Sequence, residues 1–173
     1  MSRLELFLFG PPRLIYKGRP VRLKLRKTLA LLAYLAVTRQ PHSRDALVTL
    51  LWPKESPSVG RANLRRHLYR LNRTLDEDLI SSGGEQTISL KPQAGLWLDI
   101  EMYRQQVAHL PNPGPAGEID PVTLSHLIEA TKLYTDDFMA GFTLPDSPAC
   151  DDWPYYQREE LRRSLGQVLI QLS

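Results

Sequence analysis

Leu4, Leu6 and Leu8 alternate with Glu5, Phe7 and Phe9, a period of two that predicts a strand with one strongly apolar face, closed by Gly10-Pro11-Pro12. Short apolar stretches at 14–16 and 21–23 flank Lys17-Gly18-Arg19-Pro20 and predict two more strands joined by that turn. The chain therefore opens as a small antiparallel sheet. At Arg26 the period changes. Leu29, Leu32, Ala33 and Ala36 fall at helical spacing, and Leu31 and Leu35 make the same helix apolar on most sides, which marks it as buried; it ends near 38–41. Ser43 as a cap and Asp45 in the first turn predict a helix over 44–51 that stops at Trp52-Pro53.

Segment 58–75 carries the most information. Leu64, Leu68, Leu71 and Leu75 form one helical stripe, with the last three within about 40° of Leu64 at 100° per residue. Arg65, Tyr69, Ala62, Arg73, Arg66 and Arg70 spread over the opposite arc, from about 100° to 240°. No acidic residue lies between Glu55 and Asp76 along the chain. A face that is only solvated usually mixes signs, and this one does not. Asp76-Glu77-Asp78 ends the helix, and 79–82 with 87–90 predict a β-hairpin around Gly83-Gly84.

Beyond the hairpin the pattern turns helical. Residues 96–99 read as a strand returning to the sheet, and 100–110 as a helix with Met102, Tyr103 and Val107 facing a core. The Pro- and Gly-rich run 111–117 reads as a loop or linker. Pro121 opens a helix whose stripe is Leu124, Leu127, Ile128, Thr131 and Leu133-Tyr134, running through Thr135. A breaker-rich stretch, 141–148, precedes a last helix over 153–171.

The charge divides with the pattern. Residues 1–75 hold 16 Lys+Arg against 3 Asp+Glu, while 76–173 hold 6 against 16, so a net charge of only +3 conceals a basic half and an acidic one. The basic half points to a polyanion, which the acidic half would repel. At 173 residues the chain suffices for one ordinary domain or two small ones. The longest apolar run, 29–37, is far short of the ~20 residues a membrane helix needs, so no membrane association is expected. No signal-peptide core follows the N-terminus, and the single Cys150 fits a reducing compartment; the expectation is a cytoplasmic protein.

Catalytic and metal chemistry find no foothold in the residue pattern. Asp136-Asp137 and Asp151-Asp152 read as solvated helix ends, because neighbouring carboxylates point different ways on a helix and no His stands at ligand spacing. His42, His109 and His126 are scattered and form no triad with Cys150 or a serine. His67 lies beside the leucine stripe and reads as a boundary packing or phosphate-contacting residue. Trp52, Trp97 and Trp153 read as packing anchors. The expectation is a protein without enzymatic activity, cofactor or metal.

An arginine-bearing helix preceded by a shorter helix and a turn is a helix-turn-helix arrangement, sized for the ~12 Å major groove where arginine can bond guanine at two points. Leu50-Leu51-Trp52-Pro53, Arg61-Ala62-Asn63-Leu64-Arg65 and Leu68-Tyr69-Arg70-Leu71-Asn72-Arg73 resemble the OmpR-type winged helix of the antibiotic-regulatory-protein (SARP) activators, and the run from Leu25 to Ala36 resembles that domain's first helix. Ala130, Leu133-Tyr134, Asp137-Phe138, Gly141, Asp152-Trp153, Arg158 and Leu161 resemble the bacterial transcriptional activation domain that follows it. The fold so implied is an α+β winged helix-turn-helix over 1–99, then the start of an all-α, tetratricopeptide-like part over 100–173, cut from a longer regulator. The resemblance also implies a sequence-specific transcriptional activator that binds direct repeats in double-stranded DNA, with the 83–84 hairpin as the wing and the loop 52–57 (Trp52, Lys54, Glu55) facing RNA polymerase. The wing segment 81–86 holds no Lys or Arg.

Position on the helix divides the roles. Arg65, Arg66 and Tyr69, at the centre of the exposed arc, are expected to contact bases. Lys24, Arg26, Arg44, Arg61, Arg70 and Arg73 are expected to contact phosphates. The apolar stripes of the acidic half, among them Leu161, Leu165 and Leu169, need cover and point to homodimer, intramolecular or polymerase contacts; a fragment ending near Leu110 is expected to stay folded and keep most DNA affinity. The alternative is a protein-interaction module of a larger signalling regulator in which DNA contact is minor.

Overall fold

The computed structural model describes residues 4–75, 79–83, 86–92, 95–110 and 119–173. The expected helix stop at 76–78, the tip of the hairpin at 84–85 and the loop 111–117 lie outside those residues.

The chain opens with β1 (Leu4–Phe7), β2 (Arg13–Tyr16) and β3 (Arg19–Val21). With β7 (Leu96–Leu98) they form one sheet in the order β3-β2-β1-β7. Lys17 and Gly18 both take positive φ, 48° and 75°, which closes the β2–β3 hairpin in two residues and leaves Pro20 inside β3, opposite Ile15. The expected four-residue turn is therefore shorter, and Pro20 is tolerated because β3 is an edge strand. Likewise β1 stops at Phe7 rather than running on through Phe9. The backbone N–H groups of Leu8 and Phe9 donate to the buried carboxylate of Asp99 at 2.8–3.0 Å instead of to a neighbouring strand.

Three helices follow: α1 (Arg26–Thr38), α2 (Arg44–Leu51) and α3 (Pro57–Thr74). Ser43 caps α2 by accepting from Ala46 N at 3.0 Å, and Ser56 caps α3, with Pro57 at its first position. The three helices pack on one another, burying Leu31, Leu32 and Leu35 of α1, Leu47 and Leu51 of α2, and Leu64, Leu68 and Leu71 of α3. α2 and α3 approach closely at Gly60: a Cβ there would stand 2.3 Å from Val48 Cγ1. Before α2, the two-residue strand β4 (His42–Ser43) pairs with β6 (Thr87–Leu90), which pairs in turn with β5 (Ile80–Gly83). β4 is absent from the sequence reading because two residues carry no period.

The last helices are α4 (Asp99–Ala108), α5 (Pro121–Leu133) and α6 (Pro148–Leu172). α6 starts at Pro148, earlier than the expected 153, and continues through Pro154. Pro154 suits a first helical turn, which is why the sequence places the start there. Leu124 and Ile128 of the α5 stripe are exposed, as are Val122, Leu169 and Ile170; Leu127, Leu161 and Val168 are buried.

Backbone contacts group the residues into two compact units. One holds the chain through Leu6, then Arg13–Trp97 and Thr143–Trp153; the other holds Phe7–Pro12, Leu98–Phe142 and Pro154–Ser173. The expected division at 99/100 is a single cut, whereas two segments, Phe7–Pro12 and Thr143–Trp153, lie across it. In the second unit Phe9, Tyr103 and Tyr134 form an aromatic cluster with centroids 4.6–5.8 Å apart, and Tyr103 donates to Ser164 Oγ at 3.0 Å.

Candidate nucleic-acid interface

α3 is two-faced in space as well as in sequence. Leu64, Leu68 and Leu71 are buried, while Arg65, Arg66, Tyr69, Arg70 and Arg73 are exposed, Tyr69 by 63%. Two contacts along the helix order this face. Arg66 Nη2 donates to Asn63 Oδ1 at 2.9 Å, and Arg73 Nη1 donates to Tyr69 OH at 3.3 Å. Asn63 was not among the expected site residues; its i, i+3 spacing from Arg66 is the signal that identifies it.

His67 resolves to packing. It is only 4% exposed, its Nδ1 lies 2.7 Å from Thr28 Oγ1, and its ring sits 5.0 Å from that of Trp52. Burial, then the charges of Arg66, Arg70 and Lys27, push its pKa down to about 4, so the imidazole is neutral at pH 7 and unsuited to a phosphate. Trp52 is buried too, with Lys27 Nζ 5.5 Å from its ring centroid. It cannot present its ring to polymerase, which corrects the expectation for that residue; Lys54 and Glu55 beside it are exposed.

Among the described residues, one α3 arginine meets a carboxylate from another helix. Arg61 donates to Asp45 at two points, Nε to Oδ1 at 2.9 Å and Nη2 to Oδ2 at 3.1 Å. Asp45 was expected only as a favourable first-turn residue of α2. Arg44, Asp45, Arg61, Leu64, Arg65 and Gln86 line a cleft of about 470 Å³. Arg44 is half-buried at the start of α2 and its backbone N–H donates to Gln86 O at 2.9 Å. Lys24 and Arg26, near the start of α1, are exposed.

Segment Thr143–Trp153 supports this unit from the far end of the sequence. Lys27 Nζ pairs with Asp146 at 2.8 Å, Trp153 stands edge-on to Tyr34 at 5.0 Å, and the fully buried Ser147 donates its hydroxyl to Leu51 O at 2.7 Å. Leu51 is the last residue of α2, so this bond satisfies one of the carbonyls that a helix C-terminus leaves without an intrahelical partner. Lys27 holds the Asp146 carboxyl below the usual range.

The other chemistry-bearing residues are accounted for by structure. Asp137 pairs with Arg162 and accepts from Tyr134, and the Arg162 guanidinium holds its carboxyl below the usual range. Asp151 accepts from Leu144 N at 2.7 Å. Neither is the bare solvated helix end that was expected. Cys150 is buried, which pushes its thiol up to about 12 and keeps it protonated. His109 and His126, read as scattered, stack at 4.9 Å in the second unit, where His126 Nδ1 lies 2.6 Å from Gln106 Oε1. Among the described residues no group of three or more His, Cys, Asp or Glu is placed to hold a metal ion, and no helix is long and apolar enough to cross a membrane.

No protein-family model matches the chain. Curated relatives do. Proteins called transcriptional regulatory protein EmbR, from Mycobacterium bovis and from two strains of Mycobacterium tuberculosis, are each 36% identical over 75 residues, which is 43% of this chain and 19% of theirs. These relatives are named as transcriptional regulators rather than as enzymes. The fold is similar to that of Mycobacterium tuberculosis EmbR, solved in complex with a low-affinity phosphopeptide: the TM-score is 0.68 at 20% identity, over 98% of this chain and 46% of that one. The chain thus shares a mixed α/β fold with a regulator of which it spans less than half the length.

Proposed function

We propose that this chain is the DNA-binding part of a SARP-like transcriptional regulator that activates transcription in the cytoplasm, with α3 lying in the major groove. One observation carries the reading: α3 buries a leucine face and turns Arg65, Arg66, Tyr69, Arg70 and Arg73 outward together. Arg65, Arg66 and Tyr69 read base edges, with Asn63 holding Arg66 in place. Arg70 and Arg73 at the C-terminal end of α3, with Lys24, Arg26 and Arg44, contact phosphates; Arg61 leaves that set because Asp45 holds it. The arrangement α1–α2–α3 followed by the β5–β6 hairpin supports a winged helix, with β5–β6 as the wing. The EmbR relatives support the regulatory role. Residues 1–99 carry the DNA-reading function on this proposal, and 100–173 serve assembly, a homodimer on direct repeats or a contact with RNA polymerase, to which Lys54 and Glu55 also face.

The test is binding of the 173-residue chain to DNA selected from a random library, titrated against salt. Five phosphate contacts predict a slope of log K against log salt of about −4.5. Arg66→Ala should cost about 1–3 kcal/mol on the selected site and relax its sequence preference, while Arg44→Ala weakens all sequences alike. A flat salt response, or unchanged binding when both arginines are replaced, favours the protein-interaction module instead.

A further inference from the structure

We propose that Asp45 sets the specificity of this interface: by pairing with Arg61 inside the basic cleft it withdraws one arginine from the DNA backbone and leaves a carboxylate in its place. The inference rests on the reading of α3 as the DNA-recognition helix.

The geometry is a two-point fork between the first turn of α2 and the first turns of α3, with both side chains more than half exposed. An exposed pair of this kind adds little to stability, so beyond Asp45's favourable place in the first turn of α2 the fold gives small reason for the pairing. Its position is the informative part. Asp45 is the one carboxylate among the cleft's described lining residues, whose other charged members are Arg44, Arg61 and Arg65. Residues 1–75 carry only three acidic side chains in all, so a carboxylate among these arginines runs against the composition around it.

The consequence follows from how charge contributes to DNA binding. Each phosphate neutralised strengthens binding to every sequence alike, while discrimination comes from groove contacts. An Arg61 free to reach a phosphate would raise affinity without adding discrimination. Held by Asp45, it makes the cleft less attractive to arbitrary DNA and leaves binding dependent on Arg65, Arg66 and Tyr69.

The test compares the unaltered 173-residue chain with Asp45→Asn, Arg61→Gln and the double variant, on the selected site and on random-sequence duplex, with circular dichroism confirming that each is folded. Asp45→Asn should bind random duplex roughly 3–10-fold more tightly, steepen its salt slope by about 0.9, the value of one added phosphate contact, and lower the ratio of specific to random affinity. Arg61→Gln, which leaves Asp45 uncompensated, should weaken random binding by a similar factor, and the double variant should return close to the unaltered chain. An Asp45→Asn chain with unchanged slope and unchanged ratio, or one weakened on both DNAs, overturns this inference alone. Absence of DNA binding by the unaltered chain overturns it together with the reading on which it rests.

Discussion

Gly60 offers a test of the helix pair whose outcome is a sign. In an exposed helix interior, Gly→Ala stabilises by about 0.8–1 kcal/mol through backbone entropy. Here the new methyl would meet Val48 Cγ1 at 2.3 Å, with Val48 Cβ and Cγ2 at 3.5 and 3.6 Å. Val48 is buried and β-branched, so it has few rotamers to escape into, and either its χ1 or the α2–α3 spacing must change. Overpacking of this kind costs about 1–3 kcal/mol, so Gly60→Ala should destabilise by up to about 2 kcal/mol net. Val48→Ala removes both methyls that the new Cβ meets. In that background Gly60→Ala should stabilise, by up to about 1 kcal/mol, as propensity alone requires. Urea unfolding followed by circular dichroism on the four chains of the cycle measures both steps. Stabilisation by Gly60→Ala in the unaltered chain, or the same sign in both backgrounds, would refute the close approach. On the proposed DNA-binding role, affinity for DNA should follow the same pattern, falling with Gly60→Ala and recovering in the double variant, because the spacing of α2 and α3 sets where the arginine face stands.

Further outcomes are specific to single side chains. Ser147→Ala leaves the buried Leu51 carbonyl without its donor and should cost about 1–3 kcal/mol in urea unfolding, whereas Asp146→Asn, which breaks an exposed pair, should cost under about 1 kcal/mol. Asp99→Ala strands the buried N–H groups of Leu8 and Phe9 and should cost more than either, read in the same assay. Because the folded pKa of His67, about 4, lies below its unfolded 6.5, the unfolded chain takes up the proton first: the His67 contribution should be flat above pH 7, stability should fall as pH drops from 6.5 towards 4, and much of that slope should be lost in His67→Gln.

Legibility in the sequence followed the range of the interaction. α2 was readable to the residue because its signals are local, a Ser cap before it and Trp52-Pro53 after it. The leucine stripe of α3 and its arginine arc were readable because helical period alone fixes which residues share a face. What escaped was set by partners distant along the chain. Asp99 reads as the end of a strand until Leu8 and Phe9, 91 and 90 residues earlier, are brought to its carboxylate. Arg61 reads as one more free cation until Asp45, 16 residues away, pairs with it. Trp52 reads as a packing anchor, but its neighbours His67 and Lys27 are legible only in the fold. The stretch from 141 to 148 has the composition of a loop, and nothing local reveals that Ser147 completes the end of α2.

That contact bears on how this chain can be recombined with others of its fold. A graft that carries residues 13–97 into another protein takes α1, α2 and α3 but leaves behind Asp146, Ser147 and Trp153, and with them the groups that meet Lys27, Leu51 and Tyr34. Chimaeras exchanged at a single junction after β7 would join α2 to a foreign counterpart of residues 143–153. Exchange at two junctions, taking that segment along with the helices, keeps these contacts intact.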